Sequence, residues 1–364
     1  MTHPPTTRAA APGARFDAHY LRAAIGRIFG EPAGPATCAP LTGDASDRRY
    51  FRATLAEPVG GQAASLVIMQ LAEPAPRGET DFARMQKFLS RLSLRVPALY
   101  WDDRENGLLF LEDVGDTTLE EAVRDSRESA HSHYRKAIEL LVHLQEKCTA
   151  RVGPDCPAHS LRFDAPKLMW EFDFMVEHYI GGHCRSALGP EARRELHDAF
   201  LPLAEALASE TLWLAHRDYH SRNLMVRGGE LVMLDFQDAR MGPCQYDLAS
   251  LLKDSYVVLD DGLREELVEH YLEQRETAGQ REPDPDRFRR VFDEMSLQRN
   301  LKAVGTFAFQ SVAKGNPRYL EYIPPTLAYV RQTLAARPDL SPLGDVLKRH
   351  VPGLDGPAPE PESC

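Results

Sequence analysis

His216-Arg217-Asp218-Tyr219-His220-Ser221-Arg222-Asn223 is one continuous run, and Asp235-Phe236 follows twelve residues after Asn223. The set fits H-R-D-x-x-x-x-N, then a hairpin, then D-F. Residues of these types at this spacing suit phosphoryl transfer to a hydroxyl. That chemistry asks few covalent steps of a protein but much positioning and charge neutralisation. One carboxylate, Asp218, is expected to accept the hydroxyl proton. An amide and a carboxylate, Asn223 and Asp235, supply the hard oxygens that hold Mg²⁺ against the phosphates of ATP. Taken singly, each reads as a turn residue or a strand-end cap. The ordered set favours the chemistry.

These residues need a hairpin to bring them together. Asn223 to Val226 and Leu231 to Phe236 are read as its strands, turning at Gly228-Gly229 so that Asn223 and Asp235 meet near its base. Ahead of it, apolar spacing predicts a helix over 16–29 and another over 80–92. Strands are predicted over 50–55, 65–70, 98–102 and 108–112. Beyond Thr117 the pattern is helical over 131–149, 166–180, 190–209, 246–258, 261–278, 285–313 and 325–337, with only that hairpin between. The expectation is an α+β chain with a β-rich N-lobe (16–113), a mainly helical C-lobe (114–352) and the ATP cleft between them. The Pro-rich ends, 1–15 and 353–364, are expected to be disordered.

Two further stretches bear on the nucleotide. In Leu41 to Arg52, small and polar residues precede a strand, so the backbone at Asp44, Ala45 and Ser46 could approach a phosphate, with Arg49 or Arg52 adding charge. The run is neither G-x-G-x-x-G nor G-x-x-x-x-G-K-[ST], and a solvated hairpin reads it as well. In Leu108 to Gly115, an apolar strand runs into acids and a glycine. There the Glu112 carbonyl and Val114 N–H could meet an adenine edge, or the strand could simply end.

Composition narrows the partners. The formal net charge of -11 argues against a nucleic-acid backbone or an anionic membrane surface. No run approaches the ~20 apolar residues of a membrane span, and the N-terminus lacks an apolar signal core, so a cytoplasmic protein is expected. Six scattered cysteines without a C-x-x-C pair give no disulfide framework or zinc site. A small-molecule substrate is the partner this leaves; the oligomeric state is not written in the pattern.

Together, His216 to Asn223, Asp235-Phe236 and Tyr246-Asp247-Leu248 resemble the aminoglycoside-phosphotransferase and choline-kinase superfamily, which has a protein-kinase-like fold. A closer resemblance is to the bacterial anomeric kinases of N-acetylmuramate and N-acetylglucosamine, through Gly43-Asp44-Ala45-Ser46, Arg48 to Arg52, Arg217 to Leu224 and Asp235 to Ala239. It covers roughly residues 38–350 and implies 1-phosphorylation of an N-acetylated amino sugar in peptidoglycan recycling. There are departures. The second strand reads Leu66-Val67-Ile68-Met69-Gln70 without a phosphate-clamping lysine, for which Arg52 and Lys87 are candidates, and Gln237 replaces the glycine of D-F-G. Only ten residues separate Phe236 from Asp247, too few for a segment that docks a protein substrate.

In such kinases the acceptor site lies among C-lobe helices. Glu171, between the aromatics of Leu168 to Phe174, could accept sugar hydroxyls, and Arg299 could pair with an acidic sugar's carboxylate. His220, Gln237 and Asp238 flank the base and the metal ligand as further acceptor contacts. For Glu171 or Arg299 alone, a solvated helix charge is the plainer reading. Asp260-Asp261 and Glu265-Glu266 keep an aminoglycoside acceptor open. A nucleotide-binding module without catalysis is the rival of another class.

Overall fold

The computed structural model describes residues 11–30, 34–41, 48–59, 63–75, 77–124, 126–280, 282 and 284–355. The chain divides into two units, Met1–Asp116 with Val232–Gln237, and Thr117–Leu231 with Asp238–Cys364.

The first unit begins with α1 (Ala18–Phe29), capped by the Asp17 carboxylate on Tyr20 N and closed by Gly30 in the left-handed region at φ 74°. The strands β1 (Ala36–Leu41), β2 (Arg49–Val59), β3 (Ala63–Gln70), β4 (Leu99–Asp103) and β5 (Leu108–Glu112) form one antiparallel sheet in the order β1-β2-β3-β5-β4. Helix α2 (Asp81–Arg91) starts on the Thr80 hydroxyl. Side chains alternate across a strand, so Phe51 and Ala53, Leu66 and Ile68, and Leu108 and Phe110 share one face. They bury it with Leu21, Ala24 and Ile25 of α1.

Strand β1 was not anticipated. Its sequence, Ala-Thr-Cys-Ala-Pro-Leu, lacks clear alternation, and Pro40 is tolerated because β1 is an edge strand. The expected disordered N-terminus also needs correction over Ala11 to Arg15. Ala11 is buried, Arg15 N donates to Gln70 Oε1 at 2.8 Å, and Gly13 O accepts from Gln70 Nε2 and Arg49. Residues 1–10 lie outside the described residues, as does Asp44-Ala45-Ser46.

The second unit holds helices α3 (Leu119–Val123), α4 (Arg127–His143), α5 (Ala165–Met175), α6 (Pro190–Ala208), α7 (Gln245–Leu252), α8 (Asp261–Thr277), α9 (Pro285–Val312), α10 (Ile323–Ala336) and α11 (Ser341–His350). The expected hairpin is β7 (Leu224–Arg227) and β8 (Glu230–Met233), with Gly228 and Gly229 both at positive φ as a type I′ turn requires. It is not the only β element here: β6 (Leu212–Ala215) pairs antiparallel with β9 (Arg240–Pro243). Gly242 and Pro243 hide β9 from a propensity reading. The C-terminal boundary moves as well, because Leu354 is buried and Gly353 O accepts from Arg331 at 2.9 Å.

Helix α9 is the longest element at 28 residues, about 42 Å at 1.5 Å per residue. It lies so close to α5 that a Cβ on Gly305 would come within 2.6 Å of Met175 Cα. Any larger residue there would push α9 outward. No helix among the described residues is long and apolar enough to cross a membrane.

Candidate active site

Strand β6 delivers the chain into the His216 to Asn223 loop, and four anchors hold that loop. His216 N and Arg217 N donate to the two oxygens of Asp247, at 2.6 and 3.0 Å. Tyr219, fully buried, donates its hydroxyl to Ala137 O at 2.7 Å. Ser221 donates from both N and Oγ to Asp254 Oδ2, at 2.9 and 2.6 Å. Asn223 Nδ2 donates to Asp218 O at 2.9 Å and lies 3.3 Å from His220 Nε2. So tied, the loop carries Arg217 at φ 85°, a left-handed conformation that costs on the order of 1–3 kcal/mol and persists because its surroundings over-determine it.

Asp218 stands among cations. Its Oδ1 is 3.2 Å from Lys302 Nζ and 3.8 Å from Arg299, both on α9. Burial alone would raise this carboxyl; Lys302, then Arg217 and Arg299, hold it well below the usual carboxylate range. Burial pushes the neighbouring His220 imidazole down to about 3 against the pull of Asp218, so His220 is neutral at physiological pH. A cavity of about 90 Å³ opens on Asp218 and His220, with Lys302, Arg299, Tyr256 and Phe307 in its wall.

Arg299 and Glu171 are not solvated helix charges. Arg299 is buried and donates to Tyr246 Oη at 3.1 Å and Ser250 Oγ at 2.5 Å. Glu171 is fully buried, accepts from Gln298 Nε2 at 2.9 Å and faces Lys167 Nζ at 3.5 Å. Asp238 is half exposed and 3.5 Å from Arg217. The chain's acid–base network here thus uses residues that sequence reasoning passed over: Lys302, Asp254 and, beyond its place in a motif, Asp247. An acid inside the apolar run Tyr246-Asp247-Leu248-Ala249 was a usable signal, since a buried carboxylate demands partners. Lys302 gave none.

In the first unit, Asp235 also takes a left-handed backbone, φ 59°, and its Oδ1 accepts from Gln237 Nε2 at 2.7 Å. Arg52 is engaged by acids: its Nε lies 2.7 Å from Asp113 and its NH2 2.8 Å from Asp116. Lys87 pairs with Glu79. Arg49 donates to Gly13 O at 3.2 Å. The Glu112 carboxylate is held bidentate by Arg95 at 2.7 and 2.6 Å and accepts from Ala98 N, and the Val114 side chain is buried. Among the described residues no three His, Cys, Asp or Glu side chains cluster as a metal site.

The profile of the "Phosphotransferase enzyme family" matches residues 37–289. An N-acetylmuramate/N-acetylglucosamine kinase of Pseudomonas putida is 32% identical over 87% of this chain and 88% of its own. A protein of the same name from Neisseria meningitidis is 31% identical over 82% and 86%. Among solved structures, choline kinase LicA from Streptococcus pneumoniae aligns over 87% of this chain and 98% of its own, with a TM-score of 0.58 and 14% identity. ADP-bound aminoglycoside phosphotransferase APH(2'')-Ib aligns over the same shares, with a TM-score of 0.53 and 15% identity. These two share the fold, which is the expected α+β, protein-kinase-like one. From its loop, its profile and its relatives, the chain belongs to the phosphotransferase enzyme family.

Proposed function

We propose that this phosphotransferase uses ATP to phosphorylate the anomeric hydroxyl of N-acetylmuramate and N-acetylglucosamine, giving the sugar 1-phosphate for reuse of cell-wall sugars. The observation that carries the reading is the company of Asp218: Lys302 at 3.2 Å and Arg299 at 3.8 Å, opening on one cavity. A polycationic aminoglycoside would meet repulsion there, whereas a neutral or acidic N-acetyl sugar would not. The names of the relatives that match over most of the chain support the same acceptors.

In this reading Asp218 is the base. It stays ionised because of its cations, and Asn223 steadies its backbone carbonyl. Asn223 and Asp235 would hold Mg²⁺. The fit is chemical: the Asn223 amide nitrogen is committed to Asp218 O, which turns the amide oxygen the other way, and Asp235 brings a carboxylate. Bound, the ion would neutralise phosphate charge. Asp44, Ala45, Ser46, Arg49, Glu112 and Val114 are proposed for ATP. Arg52, paired with two acids, is left out of that group. His220 and Asp238 are proposed to face the acceptor, Gln237 to orient Asp235, and Glu171 and Arg299 to act as supports of the acceptor wall.

The test is an ATP-consumption screen of the purified protein over both amino sugars, an aminoglycoside and choline. Turnover should be confined to the amino sugars, with loss of reducing ends and release of phosphate in mild acid. A product that remains reducing and acid-stable would overturn the anomeric assignment, and turnover on the aminoglycoside alone would overturn the acceptor class.

A further inference from the structure

Helix α9 presents Arg299, Lys302, Ala303, Thr306 and Phe307 to the cavity at intervals of three and four residues, one continuous face. Its two cations differ. The Arg299 guanidinium is fixed by Tyr246 and Ser250, so it buttresses the wall. Lys302 reaches the cavity on a flexible stem, and its bond to Asp218 Oδ1 at 3.2 Å uses one of three ammonium donors. In the first unit the two side chains first considered for a missing phosphate lysine, Arg52 and Lys87, are each held by carboxylates.

We propose that Lys302 is a catalytic residue that contacts the phosphoryl group while it passes to the acceptor. The proposal rests on Asp218 being the base of the function proposed above. In the reaction, the acceptor oxygen forms a bond to the γ-phosphorus and the bond from that phosphorus to the β,γ-bridging oxygen breaks. ADP departs with the electron pair, and the hydroxyl proton goes to Asp218. An acceptor oxygen hydrogen-bonded to Asp218 sets the phosphorus one bond further on. A cation 3.2 Å from the same carboxylate then lies beside the equatorial oxygens, over which the charge of the loose transition state is spread. A preorganised charge in a partly desolvated wall is worth most at that moment.

The experiment compares wild type, Lys302→Met, Lys302→Arg, Asp218→Asn and the Asp218→Asn/Lys302→Met double variant, each checked for an unchanged melting temperature. Loss of one such donor should lower kcat by about 10²–10³-fold. That loss should be equal on N-acetylmuramate and N-acetylglucosamine, leave both KM values within about threefold, and be partly restored by arginine. The slow transfer of phosphoryl to water, measured without acceptor, should fall too. Lys302→Met should still cost roughly tenfold or more in the Asp218→Asn background, because its target is the phosphoryl group. An unchanged kcat in a folded Lys302→Met protein overturns the proposal. So does a defect confined to KM for N-acetylmuramate, which would make Lys302 a reader of the acceptor's carboxylate. Complete non-additivity with Asp218→Asn also overturns it, because Lys302 would then act only through the base. If neither sugar is an acceptor, the function proposed above fails, and transfer to water still decides the role of Lys302.

Discussion

Two ion clusters in this chain are mirror images in charge, and they differ in that one partner of the second, Asp116, stands in water. In the second unit one acid, Asp218, faces two cations, Lys302 and Arg299, whose side chains are 15% and 9% exposed. In the first unit one cation, Arg52, faces two acids, Asp113 with its side chain 8% exposed and Asp116 at 78%. The chemistry of each contact is the same, yet the field is not. Near water, a pair of this kind is worth about 0–1 kcal/mol and weakens with salt. Out of water, every charge must be answered, and removing one leaves its partner stranded. The Asp218 cluster can therefore keep its carboxylate ionised, as the proposed base requires, while the Arg52 cluster fixes the course of a loop.

The largest effect expected from breaking this contrast is at Asp218. Asp218→Asn should lower kcat by about 10²–10⁴-fold with ATP affinity largely kept, since a base acts in the chemical step. Calorimetric titration with nucleotide beside single-turnover transfer checks it, and near-wild-type turnover would remove Asp218 from the role. Asp247→Ala comes next. It strands His216 N and Arg217 N in a buried loop, and two such orphans should cost about 3 kcal/mol of stability and most of the activity. Denaturant titration measures the loss, and a midpoint shift too small for one lost hydrogen bond would contradict the clamp.

Asp254 sharpens the comparison through pH. Burial raises its carboxyl to about 6 despite the bonds from Ser221 and Tyr256 N, against ~3.9 in an unfolded chain. The folded state thus keeps the proton to higher pH. The associated stability is present below pH ~4 and is lost as pH rises through about 6, amounting to roughly 2–3 kcal/mol. Asp254→Asn cannot titrate, so the stability of wild type relative to this variant should fall between pH 4 and pH 7. A difference that stays flat would show that folding does not shift the Asp254 carboxyl.

Legibility in the sequence followed the distance between partners. Asp218 and Asn223 sit in one loop, so their types and spacing carried the reading. Lys302 and Asp218 are 84 residues apart and Ser221 and Asp254 33, and no local pattern announces such pairs. Long helices with a buried stripe, such as α6 and α9, showed their period. The edge strand β1 and the pair β6 and β9 did not, because Pro40, Gly242 and Pro243 are permitted there only by tertiary position. Arg299 misled in the opposite direction: its burial depends on Tyr246 and Ser250, which lie on another helix.

The smallest effect on activity should come from the Arg52 cluster. Arg52 was a natural phosphate ligand by type, following a polar turn at the start of a strand. Its guanidinium donates to Asp116 at 3.0 Å and to Asp113 at 3.0 Å, and Asp113 in turn accepts from Ser65 Oγ at 2.6 Å. To meet a phosphate it would have to leave two carboxylates. Arg52→Gln should therefore change KM for ATP by less than about twofold and stability by about 1–2 kcal/mol, mostly through the buried Asp113 rather than the exposed Asp116. The part of that change owed to Asp116 should shrink at high ionic strength, where exposed pairs are screened. Steady-state kinetics at varied ATP, beside melting curves at low and high salt, separates the two roles. A rise in KM for ATP of tenfold or more with stability intact would mean that nucleotide outcompetes Asp113 and Asp116 for Arg52. The first unit would then hold a binding cation that its acids merely park.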